Sequence, residues 1–540
     1  MKNKVIWLVL GLLLIAGGVI LYGLQMVEST TVIDFSKLSE IKTYTIEDYN
    51  QFVEDYQNNN LDDVYITKFL YDGAGVYKTY DLDDFIEEGN DLDVKTYEGT
   101  VINIHKVGSY ELKGELTGGM VAVNTNHLKG EVHLTLNGVN LDTDSKKIPA
   151  IYVYNKDITY SDCNVVIEAQ ENTINTIKGG KFKKVSLVSK EELDTYQSKY
   201  SGEMLTNYTT YTNYYGVYTK EEIENVLFAT VTADQEDLAD GDPYYYYKGS
   251  GAISSDIDLT FEGKGTLTVI SKNKEGIETK GHLTFSGGVG DYTITAFDDC
   301  LNTTTSYSEN SNAHNNLTID VHSLTAVVDL EADEGDAIDS NGTLVINGGT
   351  VIAIAKPGQD AGIDSEKGTT INGGVVLATG DMLDPISSDS KQNFITLGTN
   401  ITANQIITLL DSDDNLVFSY ETDRKYSYLV YSSSDLTNGT YHVYRDGSIT
   451  GNSTYGFYTE GTYTKGIQLG YTSTGNMMGG GGMNGEQPQG EPPEKPEGEM
   501  NGGQPGGMGQ QTFNPTNADF TISGISNIFN GVGELVSSEE

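Results

Sequence analysis

The sequence predicts an all-β protein built around a right-handed parallel β-helix, a solenoid of short strands, with a partly helical insertion and a small antiparallel β unit C-terminal to it. Three observations predict it. Glycine is abundant at 62 residues and tyrosine at 36, whereas proline stands at 10 and tryptophan at one, a profile of many short strands joined by turns. The stretch 251–380 repeats with a period of about 24 residues and no helical pattern inside it, which points to stacked units. Within each repeat, runs that alternate apolar and polar residues end at glycine corners such as Gly287-Gly288, Asn347-Gly-Gly and Asn372-Gly-Gly, as half-buried strands do.

The elements follow in chain order. Lys2 and Lys4 precede an unbroken apolar run, Val5 to Leu24. At a rise of about 1.5 Å per residue its twenty residues span roughly 30 Å, the hydrocarbon thickness of a bilayer. Residues 1–25 therefore read as an N-terminal membrane anchor. The positive-inside bias keeps the lysines cytoplasmic and places the remaining chain outside the cell. Residues 26–95 are acidic and Tyr/Asp-rich, a juxtamembrane stalk or cap with a short helix around Ile46–Tyr56.

The β texture runs over 96–397, opening with Thr100-Val-Ile-Asn-Ile-His and Gly108-Ser-Tyr-Glu-Leu-Lys-Gly. It is broken at about 181–247 by an insertion carrying helix-like stretches and dense tyrosine, including Tyr244, Tyr245, Tyr246 and Tyr247. Residues 398–475 read as a small β module, 476–512 as a disordered Gly/Met/Pro/Gln linker, and 513–540 as a C-terminal tail with one weak β piece, Asp519–Ile525.

The repeat carries the chemistry. Ala252-Ile-Ser-Ser, Gly276-Ile-Glu-Thr, Cys300-Leu-Asn-Thr, Ala337-Ile-Asp-Ser and Gly362-Ile-Asp-Ser share one pattern: small, aliphatic, polar or acidic, then hydroxyl. The aliphatic positions are spaced 24, 24, 37 and 25 residues apart, and the long interval holds the polar insert Ser306–Asn316. In-register stacking sets Ile253, Ile277, Leu301, Ile338 and Ile363 in one column, about 4.8 Å between neighbours. The same stacking superimposes acids. Glu275, Asp299 and Asp336 precede the small residue, with Asp298 and Asp360 beside that column, and Glu278, Asn302, Asp339 and Asp364 follow it by two. Like charges about 5 Å apart raise one another's pKa, and a hard cation relieves the repulsion. Calcium, which takes six to eight oxygens at about 2.3–2.6 Å, is the expected cofactor. Zinc fits poorly, because the seven histidines fall in no cluster and the two cysteines are unpaired in sequence. Cys300 occupies a phase where other repeats carry Gly or Ala, so it reads as a small buried residue.

A formal charge of −45 excludes a nucleic-acid partner, which needs a basic footprint. Most of these acids read as a solvated surface. Tyr426, Tyr428, Tyr431, Tyr441 and Tyr444 alternate along strands, a spacing that more often serves cross-strand packing than sugar stacking. Lys280, beside Glu275 and Glu278, is the candidate base for a lyase.

The signatures Glu334-Gly-Asp-Ala-Ile-Asp-Ser-Asn-Gly-Thr-Leu-Val-Ile-Asn-Gly-Gly-Thr-Val, Asp298-Asp-Cys-Leu-Asn-Thr, Ile102-Asn-Ile-His-Lys-Val-Gly-Ser-Tyr-Glu-Leu-Lys-Gly and Tyr428-Leu-Val-Tyr-Ser-Ser-Ser-Asp-Leu-Thr-Asn-Gly-Thr-Tyr resemble the clostridial carbohydrate-binding parallel β-helix family, whose fold is similar to family 9 polysaccharide lyases. The resemblance covers roughly 97–180 and 248–475. It implies calcium at stacked acids and binding of polysaccharide of the cellulose or pectin class. The expected function is a cell-surface, non-catalytic, calcium-stabilised polysaccharide-binding protein. A calcium-dependent pectate-type lyase and a structural adhesin recognising a protein partner are the alternatives. The clustered Tyr244–Tyr247 is the candidate sugar surface.

Overall fold

The computed structural model describes residues 30–68, 78–79, 92–93, 99–125, 128–146, 148–155, 162–180, 251–304, 315–473 and 519–534. The expected anchor at 1–25, the insertion at 181–247 with its four consecutive tyrosines and the linker at 476–512 lie outside the described residues. Among the described residues no helix is long and apolar enough to cross a membrane. The chain divides into two compact units: Met1–Ala296 with Asn302–Asn316, and Phe297–Leu301 with Leu317–Glu540.

The expected right-handed parallel β-helix is corrected by the strand pairing. The chain is mostly β with few helices, and eight parallel strands close on one another as a barrel to which further strands are added, in place of an open solenoid. The physical reason is visible within the first unit. The thirteen-residue strand Gly130–Asp142 pairs in parallel with both Cys163–Ala169 and Ile174–Lys178. One long strand thus joins two neighbours that separate solenoid faces would keep apart. The repeat spacing sets which residues pair but is blind to such a shared strand.

Row formation survives that correction at the level of single residues. In the first unit Ile102, Val121, Ile151, Ile253 and Ile277 pair one to the next in parallel register, and each is fully buried. Burying such an aliphatic side chain contributes roughly 2 kcal/mol. A second row runs Leu134, Ile167, Phe261, Phe285, and its two phenyl rings stack at 5.0 Å and 14°. The N-terminal segment is folded onto this unit. Thr31–Asp34 pairs in parallel with Tyr110–Lys113, and Val64–Thr67 runs antiparallel to Val101–Ile104. The helix Tyr49–Gln57 contributes Phe52 to a small core with Tyr44, Leu61 and Tyr65, which covers a sheet end that would otherwise template pairing with another chain.

In the second unit Ile338 pairs with Ile363, while Leu344–Ile354 pairs in parallel with Leu317–Val328 on one side and with Thr369–Ile371 and Val375–Gly380 on the other. Its glycine corners stack on each other. Gly349 and Gly374 hold φ of +94° and +92°, and a Cβ would lie 2.2 Å from the Val321 carbonyl oxygen at the first and 2.4 Å from that of Gly349 at the second. Only glycine satisfies both demands.

Six of the strands between Phe394 and Ser473 pair antiparallel among themselves. Tyr426, Tyr431 and Tyr441 are buried in their core, so the packing reading holds for these three. The tail completes the sheet: Phe520–Ile522 pairs with Gly439–Tyr441, and Ser526–Glu534 with Phe394–Gly398 and Leu469–Ser473, burying Phe520, Ile522 and Phe529. Arg424, also buried, holds Asp423 in a bidentate pair and donates from Nη1 to the Val328 and Ala355 carbonyls at 2.6 and 3.2 Å. It satisfies strand-end acceptors that the core would otherwise leave dry.

Candidate functional site

The second unit gathers the acids of two successive repeats. Ile338–Ser340 and Ile363–Ser365 are three-residue strands. Side chains alternate along a strand, so sending Ile338 and Ile363 into the core turns Asp339 and Asp364 to the opposite side. Parallel register then pairs Asp339 with Asp364 directly. The small residue of the signature is required by space, since a Cβ on Gly362 would sit 2.6 Å from the Thr379 amide nitrogen. Asp336 completes the group. Its amide donates to Asp299 Oδ1 at 2.8 Å, and its own Oδ1 accepts from the Ala361 amide at 2.5 Å.

Carboxylate oxygens of Asp336, Asp339 and Asp364 all lie within 4.8 Å of one another. Burial first, and then Asp364, Asp339 and Asp360, push the Asp336 carboxyl up to about 8, against one hydrogen bond from Ala361 that lowers it. Burial and the Asp364 charge push Asp384 up to about 6, although it accepts from the Ser365 amide at 3.1 Å and the Ser365 hydroxyl at 3.2 Å. Asp360 is raised too, chiefly by burial.

Two oxygens bound to one calcium at 2.3–2.6 Å cannot be more than about 5 Å apart, a limit that each pair in this triad meets. The donor set is all oxygen, and the group contains neither histidine nor cysteine, which suits a hard cation and not zinc. Both cysteines are buried, and burial pushes the Cys163 thiol up to about 11.

The nine acids and amides singled out in the sequence are divided between the two units. Asp298, Asp299, Asp336, Asp339, Asp360 and Asp364 belong to the second unit, whereas Glu275, Glu278 and Asn302 belong to the first. In the first unit the strand neighbour of Glu278 on one side is Ser254. Glu275 has Lys274 Nζ at 3.8 Å. Lys280 is buried and paired with the equally buried Asp256. The other oxygen of Asp256 accepts from the Tyr152 hydroxyl at 3.0 Å and the Asn155 amide at 3.4 Å. The Lys280 ammonium is thus turned into the interior as a counter-charge. Sequence reading missed both Asp256 and Asp384. Asp256 follows the Ser254-Ser255 end of a signature, which is a usable signal. Asp384 stands twenty residues past Asp364, outside the repeat phase, and carries none.

A family model described as carbohydrate-binding domain-containing protein matches residues 98–196 and 210–422, more than half of the chain. No curated protein matches the chain. Among solved structures, the polysaccharide lyase-like protein from C. thermocellum, in a gadolinium derivative, aligns at 20% identity over 56% of this chain and 93% of that chain, with a TM-score of 0.28.

Proposed function

We propose, since this chain belongs to the family of carbohydrate-binding domain-containing proteins, that it is a non-catalytic polysaccharide-binding protein held at a cell surface by residues 1–25 and ordered by calcium in its second unit. The ligand class is cellulose- or pectin-type polysaccharide. The observation that carries the metal half of this reading is the Asp336, Asp339 and Asp364 triad, with oxygens inside 4.8 Å. Asp336, Asp339 and Asp364 would hold the ion, and its charge would offset a repulsion that otherwise favours protonation of Asp336.

Lys280 lends the lyase alternative no support, because a base must reach a substrate proton and this ammonium is buried against Asp256. The test uses the full chain in native affinity gels containing hydroxyethylcellulose or polygalacturonate, with calcium or with chelator. Retardation by at least one polymer, weakened by chelation and by Asp339→Asn with Asp364→Asn, is expected. Mobility unchanged in every gel contradicts the polysaccharide reading. Retardation indifferent to calcium contradicts its metal half.

A further inference from the structure

Six non-glycine residues among those described hold a left-handed backbone: Asn59, Asn172, Asn404, Asp414, Asp446 and Tyr455. Five are Asn or Asp, whose short polar side chains tolerate it. Tyr455 is the exception, at φ +48°. It is followed by Gly456 at φ +75°, and the two form a tight turn. The Phe457 amide donates to the Thr454 carbonyl at 2.9 Å and the Thr454 amide to the Phe457 carbonyl at 3.1 Å. Two consecutive positive φ values in a two-residue hairpin call for Asn-Gly or Gly-Gly, so tyrosine at the first place is a local cost.

The turn is fixed on both sides. Phe457 is buried in the core. Gly456 lies so close to the Leu416–Glu421 strand that a Cβ would sit 2.0 Å from the Glu421 carbonyl oxygen, and its own carbonyl accepts the Glu421 amide at 2.8 Å. A rigid turn therefore projects a large aromatic ring into solvent, with Tyr455 49% exposed. Asparagine or glycine would meet the backbone demand at lower cost. Strain persisting on an exposed side chain is a pointer to use.

We propose that Tyr455 is a sugar-stacking residue, and that its ligand is a neutral polysaccharide whose pyranose rings carry equatorial hydroxyls. This rests on the polysaccharide-binding reading and sharpens it. Such a ring carries axial C–H bonds on both faces, apolar and slightly positive, which suits the negative face of an aromatic ring. An axial hydroxyl breaks one of those faces. A uronate chain also brings carboxylates toward a protein of net charge −45, with Glu421 carrying the turn and Glu460 exposed in the same stretch of chain.

The experiment compares wild type, Tyr455→Asn and Tyr455→Trp, as full chains with calcium, by thermal melting and by affinity gels of hydroxyethylcellulose and polygalacturonate. Asparagine suits the turn, so Tyr455→Asn should melt at or above wild type. It should bind hydroxyethylcellulose about tenfold more weakly, the factor that covering roughly one aromatic face is worth. Tyr455→Trp should retain binding. Undiminished hydroxyethylcellulose binding by Tyr455→Asn overturns the proposal, and so does a lowered melting temperature in that variant, which would mean a structural role. Wild-type binding to polygalacturonate alone overturns the ligand class while leaving the broader polysaccharide reading intact. Wild type that binds neither polymer overturns that broader reading itself.

Discussion

Raising the pH should weaken the second unit when calcium is removed, and calcium should reverse the effect. The perturbation is titration of the Asp336 carboxyl, pushed from about 3.8 in the unfolded chain to about 8 in the fold by burial and by Asp364, Asp339 and Asp360. Between those values the folded state binds a proton that the unfolded state has released. Stability from this group is therefore complete below about pH 4 and lost progressively toward pH 8. At about 1.4 kcal/mol per pH unit, the loss has a ceiling of roughly 6 kcal/mol. Asp384, raised to about 6, adds loss of the same sign between about pH 4 and 6.

The assay is urea denaturation of the chelated full chain at pH 5 and pH 8, for wild type and Asp336→Asn. Wild type should be less stable at pH 8, and Asp336→Asn should lose most of that difference. Calcium at pH 7 should stabilise wild type and release close to one proton per ion, since the ligands must be deprotonated to bind. A chelated protein whose stability is flat or rising over pH 5–8, with no response to calcium, would refute the reasoning.

Three further outcomes concern the frame around the site. Lys280→Met leaves Asp256 charged and buried, and stability should fall by about 3–5 kcal/mol, while Asp256→Asn combined with Lys280→Met should recover much of it; denaturant midpoints decide. His105, pushed down to about 4 chiefly by burial and packed 5.2 Å from the Tyr65 ring, stays neutral in the fold. Its stability is present above about pH 6.5 and should drain away toward pH 4, by up to about 3 kcal/mol, and His105→Gln should flatten that acid limb in a pH series of melts. Gly349→Ala drives a methyl against the Val321 carbonyl and forces φ +94°, so soluble yield and melting temperature should both drop, whereas Gly138→Ala, with open space at its Cβ, should cost only the strain of its positive φ.

What the sequence makes legible is whatever repeats in phase. Ile253 with Ile277, Ile338 with Ile363 and Asp339 with Asp364 are read off by alignment because parallel register preserves the spacing. The row also reaches back through Ile151, Val121 and Ile102, beyond the repeat, since strands there vary in length and hide the period. Closure of the parallel strands was illegible for the same reason: periodicity says nothing of a strand such as Gly130–Asp142 that pairs with two others.

The tail was illegible in another way. Phe520 and Phe529 join the core across a 476–512 segment whose composition reads as linker, and no local pattern announces a partner strand so distant in sequence. In the site, the acids were visible and their division was not. Glu278 has Ser254 on one side, while Asp339 meets Asp364, and the identity of the neighbouring residues decides whether charge accumulates.

The most direct test of the central claim, that stacked acids of successive repeats make a cation site, is an anomalous difference map from crystals of the full chain grown with calcium and soaked in terbium. A peak within about 2.3–2.6 Å of carboxylate oxygens from Asp336, Asp339 and Asp364, absent in Asp339→Asn with Asp364→Asn, is the result expected. An empty triad with the metal bound elsewhere would contradict it.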